Sequence, residues 1–335
     1  MSLQPAHLTI SGPATRVATV LTLLACTTAS DPVDLTGPPP PPPAGQPDVI
    51  PADWTQRAPI PESRYQPGVT VLDGIVYVAG GVEAGALGWT AQSRVLAYSA
   101  AEDTWSVAGV VPDPVRAPAL AALGEEIYIV GGFRGDPWMP VTDVHIFDPV
   151  SGTTRAGPPL PFARGAVALV ALDGRLHAIG GVSAEVDPVF GDWSSDHDVY
   201  DPATGVWTPR APAPSTGRGA VVIDGRIYLI GWFGQRLDVY DPATDSWSRL
   251  LAPDIRWGTA VAAFAGKLYL IAGSEYQSGC CVGPAPVGTV DRFDPESHRW
   301  ERVKDMPVGL DSPAAVDVDG ALYVIAGSTY RMTLR

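Results

Sequence analysis

Apolar and polar positions along this chain fall into a pattern that repeats. Six segments carry it: LDGIVYVAGG (72–81), LGEEIYIVGG (123–132), LDGRLHAIGG (172–181), IDGRIYLIGW (223–232), FAGKLYLIAG (264–273) and VDGALYVIAG (318–327). In each, an apolar run follows a short turn; five end in two small residues and the fourth ends in Gly231-Trp232. The equivalent aromatic or His positions are Tyr77, Tyr128, His177, Tyr228, Tyr269 and Tyr323, spaced 41 to 54 residues apart. A second element follows the first five segments: YSAAEDTW (98–105), FDPVSGTT (147–154), YDPATGVW (200–207), YDPATDSW (240–247) and FDPESHRW (293–300). Its Tyr or Phe stands seven residues before a Trp, which Thr154 replaces in the second copy. A period near 50 residues marks an array of similar units.

Each copy predicts about four β-strands. In the third, ARGAVALVALDG is continuously apolar, so this strand is expected to be innermost and buried on both faces. The later runs alternate, as strands with one wetter face do. Asp-Gly predicts a tight hairpin turn with positive φ between strands one and two. Asp-Pro-Ala-Thr-Gly, or the same ending in Asp, predicts the turn between strands three and four. The paired glycines, lacking Cβ, let neighbouring sheets approach closely. The recurring Tyr and Trp fill the gaps between them. A four-stranded sheet cannot bury its faces alone, so the copies are expected to pack radially. The sixth copy ends after STYRMTLR without a Trp-bearing fourth strand, while an orphan strand, Asp53-Trp54-Thr55-Gln56-Arg57, stands at the other end. Closure of the last sheet by this N-terminal strand follows, because it removes an exposed edge.

The Gly-Gly pair, the Tyr about three residues before it and the later Trp resemble the kelch family, over residues 53–335. The resemblance implies an all-β, six-bladed kelch β-propeller with four antiparallel strands per blade. Some kelch proteins bind acidic peptides, and the bacterial sialic acid mutarotases share the fold. Galactose oxidase does too, but its copper site of two Tyr, two His and a Tyr-Cys crosslink has no counterpart. His177 takes a core Tyr position, His145 and His197 belong at or near strand three, and His298 sits in a short turn.

Composition then narrows the functional classes. Among 335 residues, 22 Lys+Arg stand against 36 Asp+Glu, a net charge of −14, which repels phosphate and argues against a nucleic-acid binder. Gly and Pro number 36 and 35, which suits many short strands joined by turns. Residues 1–26 read as a signal peptide. The apolar run Val17–Ala25 is too short to span a bilayer, and Leu23-Leu24-Ala25-Cys26 resembles the lipobox of bacterial lipoproteins. The expectation is export, with Cys26 lipidated or the segment simply cleaved. Residues 27–50, with the proline run Pro38–Pro43, read as an extended spacer. Residues 51–335 are the propeller. A monomer is expected, tied to a membrane only through a lipid anchor.

Topology sorts the connections. Turns after strands one and three share one face and are short. Connections after strands two and four share the other, and several are long, so binding residues are sought there. The long loops carry Trp89, Trp138, Phe190, Trp193, Trp232, Phe233 and Tyr276, able to stack on sugars or anchor a protein, or else to tuck against their own blade. Arg64, Arg116, Arg164 and Arg256 lead into the innermost strands, with Arg218 nearby but out of register. Together they would form a carboxylate site at the channel mouth; the alternative, favoured for any single one, is a structural Arg bonding loop carbonyls. The acidic run Glu185, Asp187, Asp192, Asp196, Asp198 lacks the spacing of a calcium loop and reads as solvated. The adjacent Cys280 and Cys281 are either a vicinal disulfide or free or intermolecular thiols. No metal site or cofactor is expected. The preferred function is an exported binding module for a glycan or an extracellular or envelope protein. A carbohydrate-modifying enzyme such as a mutarotase and a structural envelope protein are the alternatives.

Overall fold

The computed structural model describes residues 54–85, 88–183, 192–231, 236–253, 256–275, 285–326 and 328–333, the side chain of residue 218 excepted. They form six antiparallel four-stranded sheets. Blade 1 runs Gly68–Leu72, Ile75–Ala79, Arg94–Ser99, Thr104–Val110. Blade 2 runs Ala119–Leu123, Glu126–Val130, Val144–Asp148, Thr153–Ala156. Blade 3 runs Ala168–Leu172, Arg175–Ile179, His197–Asp201, Val206–Pro209. Blade 4 runs Gly217–Ile223, Arg226–Gly231, Arg236–Asp241, Ser246–Leu251. Blade 5 runs Ala260–Phe264, Lys267–Ile271, Val290–Asp294, Arg299–Arg302. Blade 6 is Ala314–Val318, Ala321–Ala326, Ser328–Met332 and, from the other end of the chain, Thr55–Arg57.

Local chemistry accounts for the sheets. Asp73-Gly74, Asp173-Gly174, Asp224-Gly225 and Asp319-Gly320 all hold positive φ at both residues. That pair of left-handed residues matches the twist of the flanking strands, as a tight hairpin requires. Between strands three and four, one left-handed residue recurs at Asp103, Gly152, Gly205, Asp245 and His298.

The first strands contact one another in a closed cycle from blade 1 to blade 6 and back. Six apolar clusters among the described residues each sit between two neighbouring blades. The innermost strands differ from the sequence expectation of burial on both faces. Ala168–Leu172 and Ala260–Phe264 alternate between buried and partly exposed residues. The partly exposed Leu169, Ala171, Val261 and Ala263 border an axial channel, so an apolar run here reflects two environments rather than one.

A ring of hydrogen bonds ties each blade to its predecessor. The indole Nε1 of Trp105 donates to the Ala58 carbonyl at 3.0 Å, Trp207 to Pro158 at 3.0 Å, Trp247 to Ala211 at 2.8 Å and Trp300 to Leu251 at 2.9 Å. Thr154, standing where the motif has Trp, donates its hydroxyl to the Val110 carbonyl at 2.7 Å. Trp54 completes the circle, donating to the Lys304 carbonyl at 3.4 Å. The closing strand pairs Thr55 with Arg331, Gln56 with Tyr330 and Arg57 with Thr329.

Candidate functional site

The long-loop face holds the axial mouth. Each chain enters its first strand through a tight corner, and in five blades that corner is a left-handed residue: Gln66, Ala117, Ala166, Gly258 and Ser312. Adjacent corners bond to each other: Ala117 N–H donates to the Gln66 carbonyl and Ala166 N–H to the Ala117 carbonyl, both at 3.1 Å. They surround a cavity of about 250 Å³ whose walls include Arg116, Phe133, Trp193 and Trp257.

Arg116 is the one charged side chain lining this cavity among the described residues. Its guanidinium lies 5.2 Å from the Phe133 ring centre and 5.3 Å from that of Trp138, two cation–π contacts. Burial lowers its pKa, and Tyr65 opposes that shift. No carboxylate pairs with it among the described residues, and its Nε is buried without a hydrogen-bond partner. Gln66 Oε1, at the same mouth, is likewise buried and unbonded. Tyr65 packs against Trp89 with centroids 5.5 Å apart and the rings tilted by 35°, and Trp89 remains 52% exposed. The arrangement suits an anionic oxygen group beside a flat or apolar surface.

The other three arginines take the structural role favoured for any single one, bonding carbonyls inside their blades, so a four-arginine carboxylate ring does not form. Arg164 is fully buried; it donates to the carbonyls of Gly180 at 3.1 Å and Asp196 at 3.2 Å, and to the Asp198 carboxylate at 2.6 Å. Burial pushes the Asp198 pKa up even with Arg164 beside it. Arg64 bonds the carbonyls of Gly80 and Arg94 and the Glu62 carboxylate at 2.9 Å. Arg256 bonds the carbonyls of Ala272 and Leu270 and the Asp291 carboxylate at 2.7 Å. Their donors are turned inward, because each lies 16 residues before the small residue whose carbonyl or blade it braces. In blade 2 that register belongs to Val115, which is buried, so Arg116 falls one position later and turns to the mouth. That one-residue offset was the signal in the sequence.

Among the predicted aromatics, the fold brings Trp138 and Trp193 to Arg116 or its cavity and puts Trp89 one ring away through Tyr65. Phe133, Tyr65, Trp257 and Gln66 were not anticipated. Asp196 and Asp198, read as part of a solvated run, instead brace Arg164 and Ser194. Trp232, Tyr276, Phe190, Phe233, Glu185, Asp187, Cys26, Cys280 and Cys281 lie outside the described residues, as does the Arg218 side chain. His177 and His197 meet between Nδ1 and Nε2 at 2.9 Å inside blade 3. Burial lowers them to about 4 and about 3.

The comparisons agree with this architecture. A family model for the Kelch motif matches residues 63–109, 114–161, 214–250 and 256–307, and a second Kelch motif model matches 163–214. Human Kelch-like protein 23 is 27% identical over 76% of this chain and 44% of its own length. Kelch-like protein terF of Aspergillus terreus is 27% identical over 66% of this chain and 51% of its own. The chain thus spans about half the length of these relatives, or less. The solved structure of YjhT superposes with a TM-score of 0.67 at 14% identity, covering 84% of this chain and 95% of that one. With motifs matched across most of its length and all six blades present, the chain belongs to the kelch-repeat family.

Proposed function

We propose that this chain is an exported binding module that takes an acidic group of a glycan or envelope protein at the long-loop mouth. Kelch propellers are typically protein-interaction modules, and the family assignment supports that coarse role. One observation carries the finer reading. In a chain of net charge −14, the mouth cavity keeps one lining charge among the described residues, the Arg116 guanidinium, which meets no described carboxylate and lies over two aromatic rings. A guanidinium freed of internal carboxylates favours a carboxylate from outside. The N-terminal sequence supports export: an apolar run ends in Leu23-Leu24-Ala25-Cys26 and is followed by a proline-rich spacer.

The test uses immobilised sialylated and uronic-acid glycans and Asp/Glu-rich peptides as probes. Arg116→Ala is expected to weaken capture tenfold or more, with partial rescue by Arg116→Lys. An Arg116→Ala protein that binds every captured probe as the parent does would overturn the reading, as would a failure of all acidic probes to bind. Export is tested separately. Labelled palmitate incorporated by the parent in a bacterial host and lost in Cys26→Ala supports the lipid anchor; no incorporation overturns it.

A further inference from the structure

Below the mouth, a second cavity of about 500 Å³ runs along the ring axis. Val69, Ala220, Val261 and Ala315 line both spaces, so the two adjoin. Its walls are the six first strands. Each of these is terminal in its sheet and is paired on one side only, so its inner backbone edge is open. The Ala122 N–H shows what that edge requires: it bonds the Thr70 hydroxyl at 3.2 Å for want of a strand partner. The wall therefore alternates apolar side chains with backbone donors and acceptors, the combination that an extended polypeptide satisfies.

The two ends of this passage differ in sign. Arg116 stands at the long-loop end. Asp317 is the one charged residue lining the deeper cavity among the described residues, and it sits near the short-turn end of its strand. Its Oδ1 accepts the Gly320 N–H at 3.2 Å, and no ion pair to it occurs among the described residues. Its side chain is exposed; partial desolvation and the nearby Asp319 raise its pKa, while the Gly320 and Ala321 N–H groups oppose that shift. By strand register Asp317 is equivalent to Ala122, six residues beyond Arg116. The left-handed corner at Ala117 lies between the two levels, and the strand residues Ala119 to Ala122 account for ~13 Å of the separation.

We propose that the axial channel receives the free N-terminal segment of a partner polypeptide in extended form, its terminal ammonium at Asp317 and an acidic side chain about four to six residues on at Arg116. This rests on the reading of the mouth as a site for acidic groups, and adds a direction and a length to it. The sign order excludes the reverse insertion, since a C-terminal carboxylate would arrive beside Asp317. Small and apolar residues fit the intervening positions, where the wall offers Val, Leu and Ala.

The experiment titrates the full chain with the synthetic peptide Ala-Val-Ala-Val-Ala-Glu by calorimetry. Three versions are compared: free amine, N-acetylated, and with the final Glu replaced by Gln. The free-amine peptide is expected to bind at least tenfold more tightly than the acetylated one. Asp317→Asn should erase that difference while leaving capture of the acidic glycan and peptide probes at the mouth intact; Arg116→Ala should weaken both. Equal binding of the free and acetylated peptides, or no binding of either alongside normal capture of acidic probes, overturns the channel inference and spares the mouth reading. Loss of all acidic-probe binding in the parent overturns both. Should Asp317→Asn fail to fold, the acetylation comparison on the parent protein decides alone.

Discussion

At the scale of single residues, one position of register separates two roles for arginine. Arg164 points into its blade and is enclosed, its charge met by Asp198 and two carbonyls. Removing one partner of such a pair leaves the other charged and buried, at a cost of about 3–5 kcal/mol. Arg164→Met is therefore expected to lower the stability measured by urea unfolding by about that amount, while the folded fraction still captures acidic probes. Arg116→Ala should do the opposite, changing capture far more than stability. The His177–His197 pair makes a second residue-scale prediction. Burial depresses both, to about 4 and about 3, so the unfolded chain, with ordinary His values near ~6.5, binds more protons than the folded one below that pH. Their contribution to stability is present above pH ~6.5 and is lost progressively as pH falls toward the folded values. His177→Tyr, restoring the residue found at this position in the other copies, should flatten the acid limb of a stability-versus-pH curve measured by chemical denaturation. An acid limb unchanged in slope would count against the pair as its source.

At the scale of elements, the hairpins and the blade-to-blade bonds were legible to different degrees. Asp-Gly turns announce themselves because only certain residues accept left-handed φ, and the structure has them at positions 73–74, 173–174, 224–225 and 319–320. The Trp of strand four was expected to fill space between sheets. Its hydrogen bond to the preceding blade was not foreseen, since the acceptor lies 36 to 49 residues away in four of the six junctions. Thr154 illustrates the point: by sequence it is a lapse in the motif, yet its hydroxyl makes the same bond to Val110. Trp207→Phe keeps most of the apolar area and deletes the donor, so it should cost about 1–2 kcal/mol, mostly from leaving the Pro158 carbonyl unbonded. A shift in the urea midpoint with an unchanged slope is the expected readout.

At the scale of the whole molecule, closure is the feature on which cooperativity depends. The last blade takes its fourth strand from Thr55–Arg57, and Trp54 packs against the cluster between blades 5 and 6. Deleting residues 54–58 opens an edge in that sheet and removes one of the six tryptophan or threonine junctions. A fall in melting temperature of about 10 °C or more is expected, followed by scanning calorimetry; a melt indistinguishable from the parent would contradict closure as a source of stability.

Blade number, strand order, turn positions and the site of closure were readable from the sequence because each is written in contiguous residues: a period, a turn dipeptide, an unmatched strand at either end. What the mouth contains was decided only in three dimensions. Arg64, Arg116, Arg164 and Arg256 all precede a first strand, and the one-residue offset of Arg116 gains meaning only from the structure, because a side chain's direction depends on which atoms of the blade its register lets it meet. Val115 occupies the inward position in blade 2 and leaves Arg116 to the cavity, whereas Arg64, Arg164 and Arg256 find carbonyls and carboxylates inside. The channel likewise exists only when six strands from distant parts of the chain face one axis, which turns an apolar run into a wall with one side open.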